Sequence, residues 1–95
     1  MNLNIAICDD EKNQIEYVKG AAMAWASARG HISVFSEFPS AEAFLFDYVE
    51  NQNYDILLLD IEMAEMNGID LAKKVRGNNR RVQILFITGY PDLMS

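Results

Sequence analysis

Tyr54-Asp55-Ile56-Leu57-Leu58-Leu59-Asp60 is the stretch on which the fold of this chain turns. It is a near-continuous hydrophobic run without the alternation of a half-wet strand. That is the pattern of a strand covered on both faces, and so of a parallel sheet under helices. The run stops at a carboxylate, Asp60. Upstream, Leu3, Ile5 and Ile7 alternate with smaller or polar residues, and this short strand ends at the acidic pair Asp9-Asp10. Downstream, Val82 to Thr88 reads as another strand, its apolar part Ile84-Leu85-Phe86-Ile87 ending at Thr88. His31 to Phe38 completes a set of four, with Ile32, Val34 and Ser36 set against Ser33, Phe35 and Glu37.

Helical patterns fill the intervals. From Glu11 to Arg29 the residues Ile15, Val18, Ala22, Trp25 and Ala26 form an amphipathic stripe that Gly30 terminates. Pro39 and Ser40 punctuate the chain, and Ser40 is placed as an N-cap with Glu42 in the first turn and Phe44, Leu45 and Tyr48 as the apolar face. Met63 to Gly68 reads as a loop. Ile69, Ala72, Lys73 and Val75 then mark a helix that Gly77-Asn78-Asn79 stops. Strand and helix alternate throughout, which calls for a doubly wound α/β parallel sheet with right-handed crossovers, residues 1–95 forming one domain.

Composition agrees with a compact domain. A hydrophobic content of 51% over 95 residues supports a real core. A formal charge of −6 argues against this segment gripping a phosphate backbone, which rests on Lys and Arg. Cys8 is the only cysteine, so no intrachain disulfide can form, and its place inside the first apolar run reads as core. Met1 to Asp10 lacks the basic n-region of a secretory signal and no apolar stretch approaches membrane length, so the expectation is a cytoplasmic protein.

In doubly wound sheets ligands bind outside the C-terminal ends of the strands, where the strand order reverses. Asp9, Asp10, Asp60 and Thr88 all stand at such ends. Carboxylates gathered in one pocket repel unless a proton or a hard cation offsets their charge, and Mg²⁺ is the candidate cofactor. A carboxylate held beside Mg²⁺ can attack a phosphoryl group, and Asp60 is placed to be that nucleophile. Plainer readings exist for each residue: Asp10 as a helix N-cap, Thr88 as a β-branched strand residue, Trp25 as core, His31 as a surface or satisfied side chain, and Lys73, Lys74, Arg76, Arg80 and Arg81 as a solvated helix end and turn. None of these explains Asp9 and Asp60 together.

The residues Cys8-Asp9-Asp10-Glu11, Leu59-Asp60-Ile61-Glu62-Met63, Met66-Asn67-Gly68 and Phe86-Ile87-Thr88-Gly89, in this order, resemble the receiver domain of bacterial two-component response regulators. The resemblance spans the chain. It implies that Asp60 accepts phosphate from a sensor histidine kinase, that Asp10 binds Mg²⁺ with help from Asp9, that the Glu62 backbone carbonyl completes the protein ligands, and that the Thr88 hydroxyl holds the phosphoryl oxygen. Glu62 and Tyr90 would flank the approach of hydrolytic water. Within the family the chain looks most like regulators with a LytTR-type DNA-binding output, which implies a transcriptional role and no metabolic enzyme activity.

Two departures stand out. Ala64 occupies a position where the family commonly has proline, and the chain stops before the fifth strand that carries the family's phosphate-contacting lysine and, soon after, its rotamer-switching aromatic, roles that Lys73 and Tyr90, standing in other elements, cannot take. The expectation is therefore a C-terminally incomplete receiver. Its bare edge at Val82 to Thr88 would favour self-association. Two other classes compete. A degenerate receiver would bind partners without phosphorylation. An aspartyl-phosphate hydrolase of the haloacid-dehalogenase type is loosely mimicked by Asp60-Ile61-Glu62 and Ile87-Thr88-Gly89, but there the nucleophile follows the first strand.

Overall fold

The structure, a computed structural model, describes residues 2–87. Expectations attached to Thr88, Tyr90 and a fifth strand lie outside these residues. The described elements are β1 (Asn2–Cys8), α1 (Lys12–Ala28), β2 (Ile32–Phe38), α2 (Ala41–Tyr48), β3 (Ile56–Asp60), α3 (Gly68–Asn78) and β4 (Gln83–Ile87). All strand pairs are parallel and the sheet order is β2-β1-β3-β4. The doubly wound α/β expectation is met.

Side-chain parity sorts the core into two layers. Ala6, Cys8, Leu57 and Leu59 point to one face, where they meet Phe44 and Tyr48 of α2 and Leu71, Ala72 and Val75 of α3. Ile5, Ile7 and Leu58 point to the other and meet Ile15 of α1. Because β1 and β3 are sandwiched, their sequences are apolar at both parities. The helix signals work locally as well. Ser40 Oγ accepts the Ala43 N–H at 3.0 Å. Gly30, at φ 76°, lets the chain turn left-handed so that the His31 N–H returns to the Ala26 carbonyl at 2.9 Å.

Several expectations need correction. On edge strand β2 the inward residues are Phe35 and Phe38, packed on opposite layers, whereas Ile32 and Val34 are exposed. Alternation alone could not choose, because both parities carry apolar residues. Trp25 is 45% exposed instead of buried. It lies on the rim of an apolar groove of about 360 Å³, lined also by Val18, Ala22, Ile56, Leu58 and Leu85, with the Arg29 guanidinium 4.6 Å from its ring centroid. Helix α3 runs through Gly77 to Asn78, one residue past the glycine expected to stop it. Arg76 is no merely solvated end: it donates to the Val82 carbonyl at 2.6 Å and so ties the helix to the approach of β4. His31 Nδ1 is buried without a partner among the described residues. Also among the described residues, no helix is long and apolar enough to cross a membrane.

Candidate functional site

The site is built by register. Parallel pairing sets Cys8 of β1 level with Leu59 of β3, so the next residues, Asp9 and Asp60, emerge side by side at the C-terminal edge. The order β2-β1-β3-β4 makes this the point where successive connections leave in opposite directions, the place where such sheets bind ligands. Asp60 is also level with Ile87 of β4.

Here Asp9, Asp10 and Asp60 bring one carboxylate oxygen each to within 4.8 Å of one another. Asp9 is 1% exposed and Asp60 7%, while Asp10 faces solvent. The backbone N–H of Glu11 donates to Asp9 Oδ1 at 2.9 Å. Glu11, not Asp10, is the N-cap of α1, and its side chain makes no capping bond. The plain reading of Asp10 as a helix cap is thereby set aside, and the local backbone bond belongs to Asp9.

Asp9 Oδ2 is buried and has no donor. Among the described residues, no lysine or arginine pairs with any of the three carboxylates. With Asp9 and Asp60 both ionised, that oxygen faces only negative charge. A proton is one remedy: burial first, then the charges of Asp9 and Asp10 and a hydrogen bond to Asp9, push the Asp60 carboxyl up to about 6, against a smaller downward pull from the Glu62 backbone N–H. Asp9 is raised too, chiefly by burial, and the bond to Asp60 works the other way on it. A divalent cation is the other remedy. All-oxygen donors, partly buried and lacking a counter-ion, suit a hard ion such as Mg²⁺.

Cys8, one residue before the cluster, takes no part in it. Its Sγ donates to the Ser40 carbonyl at 3.1 Å, and burial pushes the thiol up to about 12, so it stays protonated and inert.

The loop after β3 holds the site from behind. The Ile61 N–H donates to the Ile87 carbonyl at 3.1 Å, and the Gly68 N–H returns to the Ile61 carbonyl at 3.0 Å. Between them Glu65 takes φ 65°, a left-handed conformation that glycine adopts more easily. Asn67 caps α3, its Oδ1 accepting the Asp70 N–H at 2.8 Å. Met66-Asn67-Gly68, expected as loop and family motif, thus also holds the helix cap, for which a polar residue followed by glycine before an apolar run is the sequence signal; the tight approach of Gly68 has no such signal. Glu62 sits in this loop, two residues beyond Asp60, whereas Thr88 lies outside the described residues.

The family described as "Response regulator receiver domain" matches residues 5–95. The heme response regulator HssR of Staphylococcus epidermidis is 31% identical over 86 residues, covering 90% of this chain and 35% of HssR. The chain thus spans about a third of the length of that curated relative. Among solved structures, the complex of histidine kinase ThkA with response regulator TrrA superposes with a TM-score of 0.69 at 28% identity, over 93% of this chain and 70% of the matched one. TrrA from Thermotoga maritima in complex with Mg²⁺-BeF gives a TM-score of 0.67 at 24% identity, over 95% of this chain and 72% of that one.

Proposed function

From the premise that the chain belongs to the response regulator receiver domain family, we propose that Asp60 is its phosphoacceptor and that Asp9 and Asp10 hold Mg²⁺ beside it. The observation that carries this reading is the orphaned Asp9 oxygen in a three-carboxylate cluster without a counter-ion. Receiver domains are signalling proteins that pair with sensor histidine kinases, and TrrA has been solved with ThkA. We assign the same class of donor to this chain, a phosphohistidine.

In the transfer an Asp60 carboxylate oxygen attacks phosphorus. The P–O bond forms as the P–N bond breaks, and the electron pair leaves with the imidazole. Asp60, raised only to about 6, is ionised in most molecules at pH 7 and is therefore nucleophilic. Asp9, fixed by the Glu11 N–H, and Asp10, free of capping duty, supply the cation ligands, with the Glu62 carbonyl as a further one. When bound there, Mg²⁺ supplies neutralisation of the charge on the phosphoryl oxygens. Thr88 is assigned the phosphoryl hydrogen bond. Residues 1–95 act in this proposal as one cytoplasmic domain governing a transcriptional output, with no nucleic-acid contact of its own.

The test is intact mass after incubation with acetyl phosphate. Wild type is expected to gain one base-labile phosphoryl group only when Mg²⁺ is present, and Asp60→Asn none. Mg²⁺ should raise the thermal midpoint of wild type and not of Asp10→Asn. An adduct that survives in Asp60→Asn would remove the acceptor from the reading.

Self-association through Val82 to Thr88 belongs to the same proposal. What supports it is that, among the described residues, β4 pairs with β3 alone while Leu85 and Phe86, on opposite faces, are 51% and 47% exposed. Light scattering at high micromolar concentration is expected to report a dimer, and Leu85→Lys a monomer. A monomeric wild type would end this idea.

A further inference from the structure

We propose that Gly68 is a positioning residue for the phosphoacceptor: its bare Cα is the surface against which the Asp60 carbonyl rests. This rests on the reading of Asp60 as acceptor. A Cβ built at position 68 would overlap the Asp60 carbonyl oxygen, and would lie 2.9 Å from its carbonyl carbon and 3.2 Å from Ile61 Cα. All three atoms are backbone, so no side chain can rotate away to make room. The other described glycines contrast with it. A Cβ at Gly20, Gly30 or Gly77 would meet nothing within 4 Å.

The consequence follows from what surrounds the contact. The Gly68 N–H is bonded to the Ile61 carbonyl, and Gly68 opens α3, whose Leu71, Ala72 and Val75 are locked into the core. Helix α3 cannot easily retreat. A methyl at position 68 would thus be accommodated by the strand end, shifting the Asp60 backbone relative to Asp9 and Asp10. The carboxylate that must meet both a cation and a phosphorus atom is carried by that backbone. Close approach of helix to strand end is in this way converted into alignment of the acceptor, and an absent side chain does the aligning.

The experiment compares Gly68→Ala with Asn67→Ala in the full chain. Asn67→Ala removes the cap of the same helix but adds no atom near Asp60. Both are measured at a urea-verified folded fraction, with trimethylamine N-oxide added where needed. The first readout is Mg²⁺ alone, by calorimetry: affinity is expected to weaken in Gly68→Ala and to match wild type in Asn67→Ala. The second is the rate of adduct formation at saturating Mg²⁺ and acetyl phosphate. Gly68→Ala is expected to lose about 100-fold, the size that a roughly 1 Å misplacement of reacting atoms costs, and Asn67→Ala less than about threefold.

If the two variants lose rate and Mg²⁺ affinity alike, Gly68 is only structural and the inference is overturned. A Gly68→Ala chain that stays unfolded in the osmolyte while Asn67→Ala folds overturns it as well. Asp60→Asn separates this from the underlying reading: an adduct that persists there refutes the acceptor itself, whatever Gly68→Ala does.

Discussion

Asp60→Asn is expected to abolish the phosphoryl adduct and, in the absence of divalent cations, to make the domain more stable at neutral pH. The sign follows from the raised carboxyl, 3.8 in the unfolded chain against about 6 in the fold. Below about pH 4 both states keep the proton and wild type gives up nothing relative to the variant. Between about pH 4 and 6 the unfolded chain ionises first, so wild-type stability falls as pH rises. Above about pH 6 the penalty is complete, on the order of 2 to 3 kcal/mol for a shift of this size. The variant lacks that titration, and its amide can donate to the orphaned Asp9 oxygen. Urea unfolding at pH 4 and pH 7.5 is the measurement. The stability difference between variant and wild type should be near zero at the lower pH, grow to that size at the higher, and shrink again when Mg²⁺ is added. A difference independent of pH would mean that the carboxylates are not in conflict.

Phe44→Ala should be the most damaging single truncation in the core. The ring is fully buried, stacked on Tyr48 at 5.1 Å between centroids, edge-on to Phe38 at 5.3 Å, and 5.8 Å from Tyr54. Removing it costs about 3–5 kcal/mol through lost burial and a cavity. A domain of this size has a total stability of roughly 5–14 kcal/mol, so the variant should sit close to its unfolding threshold. Phe46, two residues on, is 86% exposed on the outer side of the same helix. Phe46→Ala should stay within about 0.5 kcal/mol of wild type. Comparable losses in the two variants would contradict the orientation of α2.

Most of the architecture was legible because hydrophobic pattern and burial coincide where an element is fully sandwiched. Ile56 to Asp60 could be nothing but a central strand, and strand ends at Asp9 and Asp60 made the acidic cluster readable from the residues alone. Legibility failed at the edges. Strand β2 has one neighbour and is only partly covered on each face, by α1 over Phe35 and by α2 over Phe38, so its apolar residues do not reveal which of them are buried. Trp25 lies on the correct helical stripe but toward the end of α1, over the groove instead of under the sheet. The division of labour between Asp9 and Asp10 was not legible either. It depends on which backbone N–H each carboxylate meets, a matter of a single residue at the start of α1. Gly68 marks the same limit, since a sequence displays its missing side chain but not the carbonyl that needs the space.

The half-exposed ring at the end of α1 also makes this molecule optically labelled. Trp25 is the only tryptophan in the chain, and 13 residues separate it from the start of α1, about 20 Å along the helix axis. Its emission therefore reads the groove and not the carboxylates. In the uncovered state the indole is wet and lies beneath a guanidinium, so the spectrum should peak toward the red. Any segment or partner that settles over Ile56 and Leu85 would shift it blue and slow quenching by iodide. Chemistry at Asp60 that leaves the groove uncovered would pass unseen, so an optical change accompanying phosphorylation would directly signal communication between the two ends of the helix.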